Sequence, residues 1–270
     1  MRSGSSILLP VDFSERSAPA ARYAKALAAQ FDSPLILLHV LTPLQLELGG
    51  GEISGYMLTD LYRNRVQHAV QELEAFLRDE ISGPSVERLV VEGDPARMIV
   101  ETAHERAGML LMPTHGYGPF RRFILGSVTA KVLHDADCPV WTGVHLEDAP
   151  AASLPLRRIV CAVDLGPQSS KTLCWAASLA TQFGAHLTLL HVTLGASEAA
   201  RDELERLRSY VHCEADIRVD TGDPPATICA AAAGADLLAI GRGSAGGVFG
   251  RLRANAYSII RQSPCPVVSI

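Results

Sequence analysis

The segment Ile7–Val40 reads ILLPVDFSERSAPAARYAKALAAQFDSPLILLHV, and Ile159–Val192 reads IVCAVDLGPQSSKTLCWAASLATQFGAHLTLLHV. The two align without a gap. Asp12 falls on Asp164, 152 positions on, and Val11, Ser17, Ala24, Leu27, Gln30, Phe31, Leu37, Leu38, His39 and Val40 recur as identical residues. Chance does not give this over one contiguous block. Further along, GDPARMIV from Gly93 is echoed by GDPPATIC from Gly222, and CPVW from Cys138 by CPVV from Cys265. The chain is therefore two copies of one unit, each of ordinary domain size.

Working outward from the repeat, apolar runs alternate with helical patterns. ILLPVD reads as a buried strand, and the following Ala/Leu-rich stretch as a helix with Pro19 in its first turn. LILLHVL is a second strand. A long helix is expected over about 59–80, with Val66, Val70, Leu73 and Leu77 on one face. VERLVVEG is a third strand, after which Asp94 and Pro95 have the N-cap and first-turn chemistry of a helix start. MLLMPT is a fourth strand, 126–134 a helix and PVWTGV a fifth strand. Near-continuous apolar strands alternating with helices predict an α/β fold, with a parallel sheet covered on both faces. Right-handed crossovers make each copy a doubly wound, five-stranded, Rossmann-like unit. Residues 1–148 and 156–270 are the expected domains, joined by an Ala/Pro/Ser-rich linker.

Composition narrows the function. The chain has 270 residues, 48% hydrophobic and 20% charged, with formal net charge −5. That balance fits a globular protein and argues against a broad nucleic-acid surface, which needs clustered Lys and Arg. Each apolar run is broken well short of a membrane span, and MRSGSS leads into a strand without a signal-peptide core, so a cytoplasmic protein without membrane contact is expected. The six cysteines form no C-x-x-C pair and read as small hydrophobes, and the His212–Cys213 adjacency alone is weak grounds for a metal site.

Chemistry is expected past the carboxyl ends of the strands, where strand order reverses. Asp12 ends the first strand and Pro113-Thr114-His115-Gly116 ends the fourth. Gly126-Ser127 opens a helix, whose free N–H groups and positive dipole end attract an anion. There is no Lys in the order a Walker A loop requires, and no glycine in DFSERS after the first strand for a dinucleotide fingerprint.

VDFSE, LLHV, GDP, THG, then nine residues and GS, with CPV near the unit's end, resemble the universal stress protein family over nearly the whole chain, as a tandem pair. The resemblance implies an ATP or AMP site, with or without Mg. Asp12 would lie near base and ribose, Val40 would present backbone groups to adenine, and Gly116, Gly126, Ser127 and Val128 would hold ribose and phosphates. Thr114 or His115 would touch ribose or phosphate, and CPVWTGV and CPVVSI would pair edge to edge, as the tandem repeat and the resemblance to a family whose single-unit members look like dimers through the last strand together imply, closing two open sheet edges as an intrachain pseudo-dimer. The family's phosphate motif, Gly-x2-Gly-x9-Gly-Ser/Thr, has Pro113 at its first glycine here. Proline lacks an N–H and fixes φ, so a site needing either there would be damaged, whereas one needing only close approach would not. In the second copy, counting back from CPV puts Arg253-Ala254 at Gly-Ser, and taking Gly241 as the first glycine puts Ala254-Asn255 there. Either register loses the anion site.

The leading reading is a stress-response or regulatory protein that binds an adenine nucleotide in its first half and acts by binding. At most it hydrolyses ATP slowly, since no catalytic constellation is visible. An interaction module that has lost nucleotide binding, and an adenine-nucleotide-dependent enzyme, stay open beside it. A protein partner and homodimerisation of the whole chain fit the class, but no residue identifies them.

Overall fold

The computed structural model describes residues 6–43, 55–113, 125–143, 156–193, 198–242 and 250–270; for 55–59 and 250–254 it describes the backbone alone. The first half runs β1 (Ser6–Pro10), α1 (Ser17–Phe31), β2 (Leu35–Leu41), α2 (Gly55–Ala75), β3 (Val86–Glu92), α3 (Pro95–Arg106), β4 (Ala107–Pro113), α4 (Ser127–Asp135) and β5 (Val140–Gly143). The second repeats it as β6 (Arg158–Ala162), α5 (Ser169–Phe183), β7 (His186–Thr193), α6 (Glu198–Val211), β8 (Asp216–Thr221), α7 (Pro224–Ala231), β9 (Leu237–Ile240), α8 (Gly250–Gln262) and β10 (Val267–Ser269).

Ten strands form one sheet in the order β3-β2-β1-β4-β5-β10-β9-β6-β7-β8. Among the described residues the pairings within each half are parallel, and β5 and β10, which follow the two CPV motifs, pair antiparallel and edge to edge as expected, with Val140 opposite Ser269 and Thr142 opposite Val267. The strands alternate their buried side chains between two cores. One face gathers Ile7, Leu9 and Leu37 with Ala24, Leu27 and Leu73, continuing into Ile159, Cys161 and Leu179 of the second half. The other gathers Leu8, Ile36 and Leu110 with Ile99 and Val132, continuing into Val160, Leu238 and Ile259. Each such fully buried leucine or isoleucine stabilises the fold by about 1.5–3 kcal/mol over leaving it exposed.

The halves touch at equivalent positions. Phe31 and Phe183, partners in the sequence repeat, meet edge to face with ring centroids 5.6 Å apart. The Tyr257 hydroxyl donates to Ala130 O at 3.1 Å. Arg242 adds a further contact: its guanidinium donates to the carbonyls of Ala136, at 2.5 Å, and Cys138 in the first half.

The long helix departs from its expected extent and face. It ends at Ala75, and Leu77 lies at φ 47 beyond it. The cause is tertiary: Arg88 of β3 donates to the carbonyls of Leu73, Phe76 and Ile81, and so takes the place of further helical N–H groups. The sheet lies on the side of Ala69, which is buried together with Leu73, so Val70 is exposed.

Candidate functional site

Strand order reverses between β1, which has β2 on one side, and β4 on the other, so a crevice opens above the carboxyl end of β1. A cleft of about 280 Å³ lies there. Asp12, Val40, Pro113, Gly126, Ser127 and Val128 all line it, with Leu38, Ile99 and Met112 as an aliphatic floor. The crossover connections thus bring together residues up to 116 positions apart in the chain. Thr114, His115 and Gly116 lie outside the described residues.

Asp12 is held by a local turn. Its Oδ1 accepts the Ser17 hydroxyl at 2.7 Å and the Ser14 N–H at 3.0 Å. The next residue, Phe13, adopts φ 58, an unusual conformation for a bulky side chain. Such a residue costs about 1–3 kcal/mol and persists because its surroundings fix it. Here the Phe13 ring packs tilted against His39, with centroids 4.6 Å apart, and edge to face against Phe76 at 5.8 Å. His39 Nδ1 in turn lies 2.8 Å from Val11 O, so that nitrogen carries the proton and donates. Neither His39 nor Ser17 is among the site residues expected from the sequence. The signal for Ser17 was its recurrence with the aspartate, as Asp164 and Ser169, which are hydrogen-bonded in the same way at 3.1 Å.

Val40 contributes backbone. Val11 N–H donates to Leu38 O, so the even-numbered residues of β2 turn their amide groups toward β1. Two residues on, β1 has ended at Pro10, and Val40 directs its N–H and C=O into the gap.

The opposite wall is the start of α4. Gly126 is its N-cap at φ −60, ψ 146, with no side-chain cap, and the first intrahelical bond runs from Ala130 N to Gly126 O at 2.8 Å. The N–H groups of Ser127, Val128 and Thr129 therefore have no helical partner, a donor set suited to an anion. Pro113 is the last residue of β4, paired with Gly143, and its carbonyl accepts the Thr129 hydroxyl at 3.2 Å. The backbone there is extended strand, which proline's fixed φ permits. Beside the cleft, Asp94 caps α3 and accepts Arg97 N–H at 2.9 Å and Lys131 Nζ at 3.0 Å. These two partners, the Arg97 N–H foremost, hold its carboxyl below the usual range.

A second cleft, about 270 Å³, occupies the equivalent place in the other half and includes Asp164, His191, Val192, Gly241 and Asn255. Strand pairing fixes the correspondence there. Ile7 faces Met109 as Ile159 faces Leu237, which puts Gly241 at the place of Pro113. On the helices, the N–H of Ala136 reaches Val132 O as that of Ser263 reaches Ile259 O, which puts Ala254 at the place of Ser127. The two registers found in sequence are thus both right, each over its own element, because the intervening stretch of sequence is one residue shorter in the second half. Helix α8 starts at Gly250, one turn before Ala254, so the N–H groups at the place of the α4 start are spent inside the helix.

Among the described residues, no three or more His, Cys, Asp or Glu side chains gather as a metal site, and no helix is long and apolar enough to cross a membrane. The model of the universal stress protein family matches residues 5–142 and 155–210. A universal stress protein of Mycolicibacterium smegmatis is 28% identical over 98% of this chain and 96% of its own. One from Methanocaldococcus jannaschii is 30% identical over 50% of this chain and 78% of its own, the match of a single unit. The crystal structure of a universal stress protein from Archaeoglobus fulgidus superposes with a TM-score of 0.72 at 23% identity, covering 98% of this chain and 95% of that one. The doubly wound repeat, its motif order and these matches over both halves make the chain a member of the universal stress protein family.

Proposed function

We propose that the first-half cleft binds one adenine nucleotide, ATP or AMP, and that the protein acts as a stress-response or regulatory component by binding. The observation that carries this is the convergence of three recognition elements on one cleft: the Asp12 carboxylate, the Val40 backbone pair and the uncapped start of α4. The Val40 N–H and C=O suit the donor–acceptor edge of adenine. Asp12 Oδ2 suits ribose hydroxyls, because its intramolecular bonds to Ser14 and Ser17 both fall on Oδ1. The N–H groups of Ser127 and Val128 suit phosphate. Pro113 is compatible with this because its position is extended strand. Thr114, His115 and Gly116 complete the site in this reading. A magnesium ion accompanying ATP would meet Asp12 as the one carboxylate among the described lining residues, so its ligands would be phosphate oxygens and water. Residues 1–148 and 156–270 act as two domains of an intrachain pseudo-dimer, in the cytoplasm.

Calorimetric titration of the full chain with AMP and ATP tests the reading, together with the ultraviolet spectrum and mass of any nucleotide retained on purification. One site per chain is expected. At ligand about a hundredfold above Kd, binding stabilises the protein by about 2.7 kcal/mol. That raises Tm by about 5–10 °C. No binding at any attainable concentration would replace this reading with that of an interaction module.

A further inference from the structure

We infer that the second-half cleft is a separate binding site whose ligand is an uncharged nucleoside rather than a nucleotide. The inference rests on the reading above for the frame that holds a base and a ribose, and goes beyond it by giving the other half a ligand of different charge.

The floor is kept. The cleft has nearly the volume of its counterpart, about 270 against 280 Å³. Asp164 Oδ1 accepts the Gly166 N–H at 2.9 Å and the Ser169 hydroxyl at 3.1 Å, and Leu165 repeats the strained turn at φ 60. His191 Nδ1 donates to Val163 O at 2.8 Å, and Val163 N–H donates to Leu190 O. By the same alternation as in β2, Val192 directs its N–H and C=O past the end of β6. A ring with a donor–acceptor edge and a vicinal diol finds the same partners here as in the first half.

The phosphate wall is not kept. The extra turn of α8 removes the free N–H groups, and Asn255 lines the cleft where the first half has Val128. Its amide offers two donors and an acceptor but no charge. Thr172 lines the cleft at the place of Ala20, and a Cβ at Gly241 would come within 3.2 Å of its hydroxyl oxygen, so that side of the cleft is close-fitting. No Lys or Arg is among the described lining residues, and Asp164 is the one carboxylate. Arg242, next to Gly241, turns its guanidinium away onto Ala136 O and Cys138 O. Among the described lining residues a phosphate would meet the Asp164 carboxylate with neutral donors such as the Asn255 amide but with no cation and no free helix-start N–H groups, whereas a neutral nucleoside meets none of this cost.

The test uses the full chain carrying Gly126→Asp, which places a carboxylate at the start of α4 in the first cleft, titrated calorimetrically with adenosine and with AMP. Adenosine is expected to bind this variant in the second cleft as well as in the first, whose base and ribose partners the substitution leaves in place, and AMP to bind about tenfold more weakly than adenosine or worse. Adding Ala256→Phe, whose ring fills the second cleft, should remove one of the two adenosine sites. Because that variant could misfold, the histidine ring signals of the Gly126→Asp chain provide a second readout, in which adenosine should shift His191. AMP binding equal to adenosine, no adenosine binding, or an adenosine shift confined to His39 would each overturn the inference. The two readings fail separately. If the unaltered chain binds no AMP but adenosine still shifts His191, the first-cleft reading falls and this one stands.

Discussion

Asp12 and Asp164 stand at the ends of equivalent strands, each tied to a serine five residues on and each followed by a residue of positive φ. The helices that face them start one turn apart, at Ser127 and Gly250, with Ala254 at the place of Ser127. The lesson is that one floor can serve two walls. The floor belongs to the strand ends and is fixed by the sheet, whereas the wall depends on where a helix begins, which a few residues can move. The strand exits diverge as well. In the first half the Pro113 carbonyl accepts the Thr129 hydroxyl, whereas in the second the place of Thr129 is taken by Ala256, which has no hydroxyl.

The contrast breaks most sharply at the helix starts. Gly126→Asp should weaken AMP binding by about a hundredfold or more, since a carboxylate would stand beside the phosphate site. Ala254→Asp should leave AMP binding unchanged, and calorimetry on both variants decides. Next in size is Arg242→Met. It strips two first-half carbonyls of their donor and should destabilise the chain by about 2–3 kcal/mol in denaturant melts. A smaller effect is expected at the turns before α3 and α7. Gly93 and Gly222 lie at φ +152 and +148, and an added Cβ would come within 2.7 Å of Met98 and of Thr227. Each Gly→Ala change should cost about 1–3 kcal/mol, measurable as a fall in denaturation midpoint, with equal losses if the two halves share this device.

The smallest effect is electrostatic. Asp94 faces Lys131, whereas the matching cap Asp223 has Ser258 at that helix position. The folded carboxyl of Asp94 is depressed, so its contribution to stability is complete above the unfolded carboxylate pKa and lost as pH falls through the folded value. Lys131→Met should move the Asp94 pKa upward and start that loss at higher pH, as a carbon-detected titration of the carboxyl would show. Because the Arg97 N–H is the leading cause, the value should stay below the usual range.

Much of the site was legible because its residues mark element ends. An aspartate closing an apolar run, a GDP turn and a Gly-Ser helix start are local signals, and the repeat doubled them. Ser17 was visible only as a recurring residue, since nothing local says that its hydroxyl reaches back to Asp12. The end of α2 was not legible, because Arg88, which terminates it, lies on a strand beyond the helix. The one-residue difference in loop length between the halves left the second-copy register undecided until strand pairing and helix contacts fixed each element separately.

The sequence alone determined the repeat, the alternation of strand and helix and the apolar patterning that buries the strands, because these are set by periodicity and local backbone chemistry. Only the tertiary structure decided that α2 stops at Ala75, that α8 begins a turn early, and that Arg242 bonds two carbonyls of the first half. Those depend on which partner each backbone group finds across the chain, and no local run of residues encodes that.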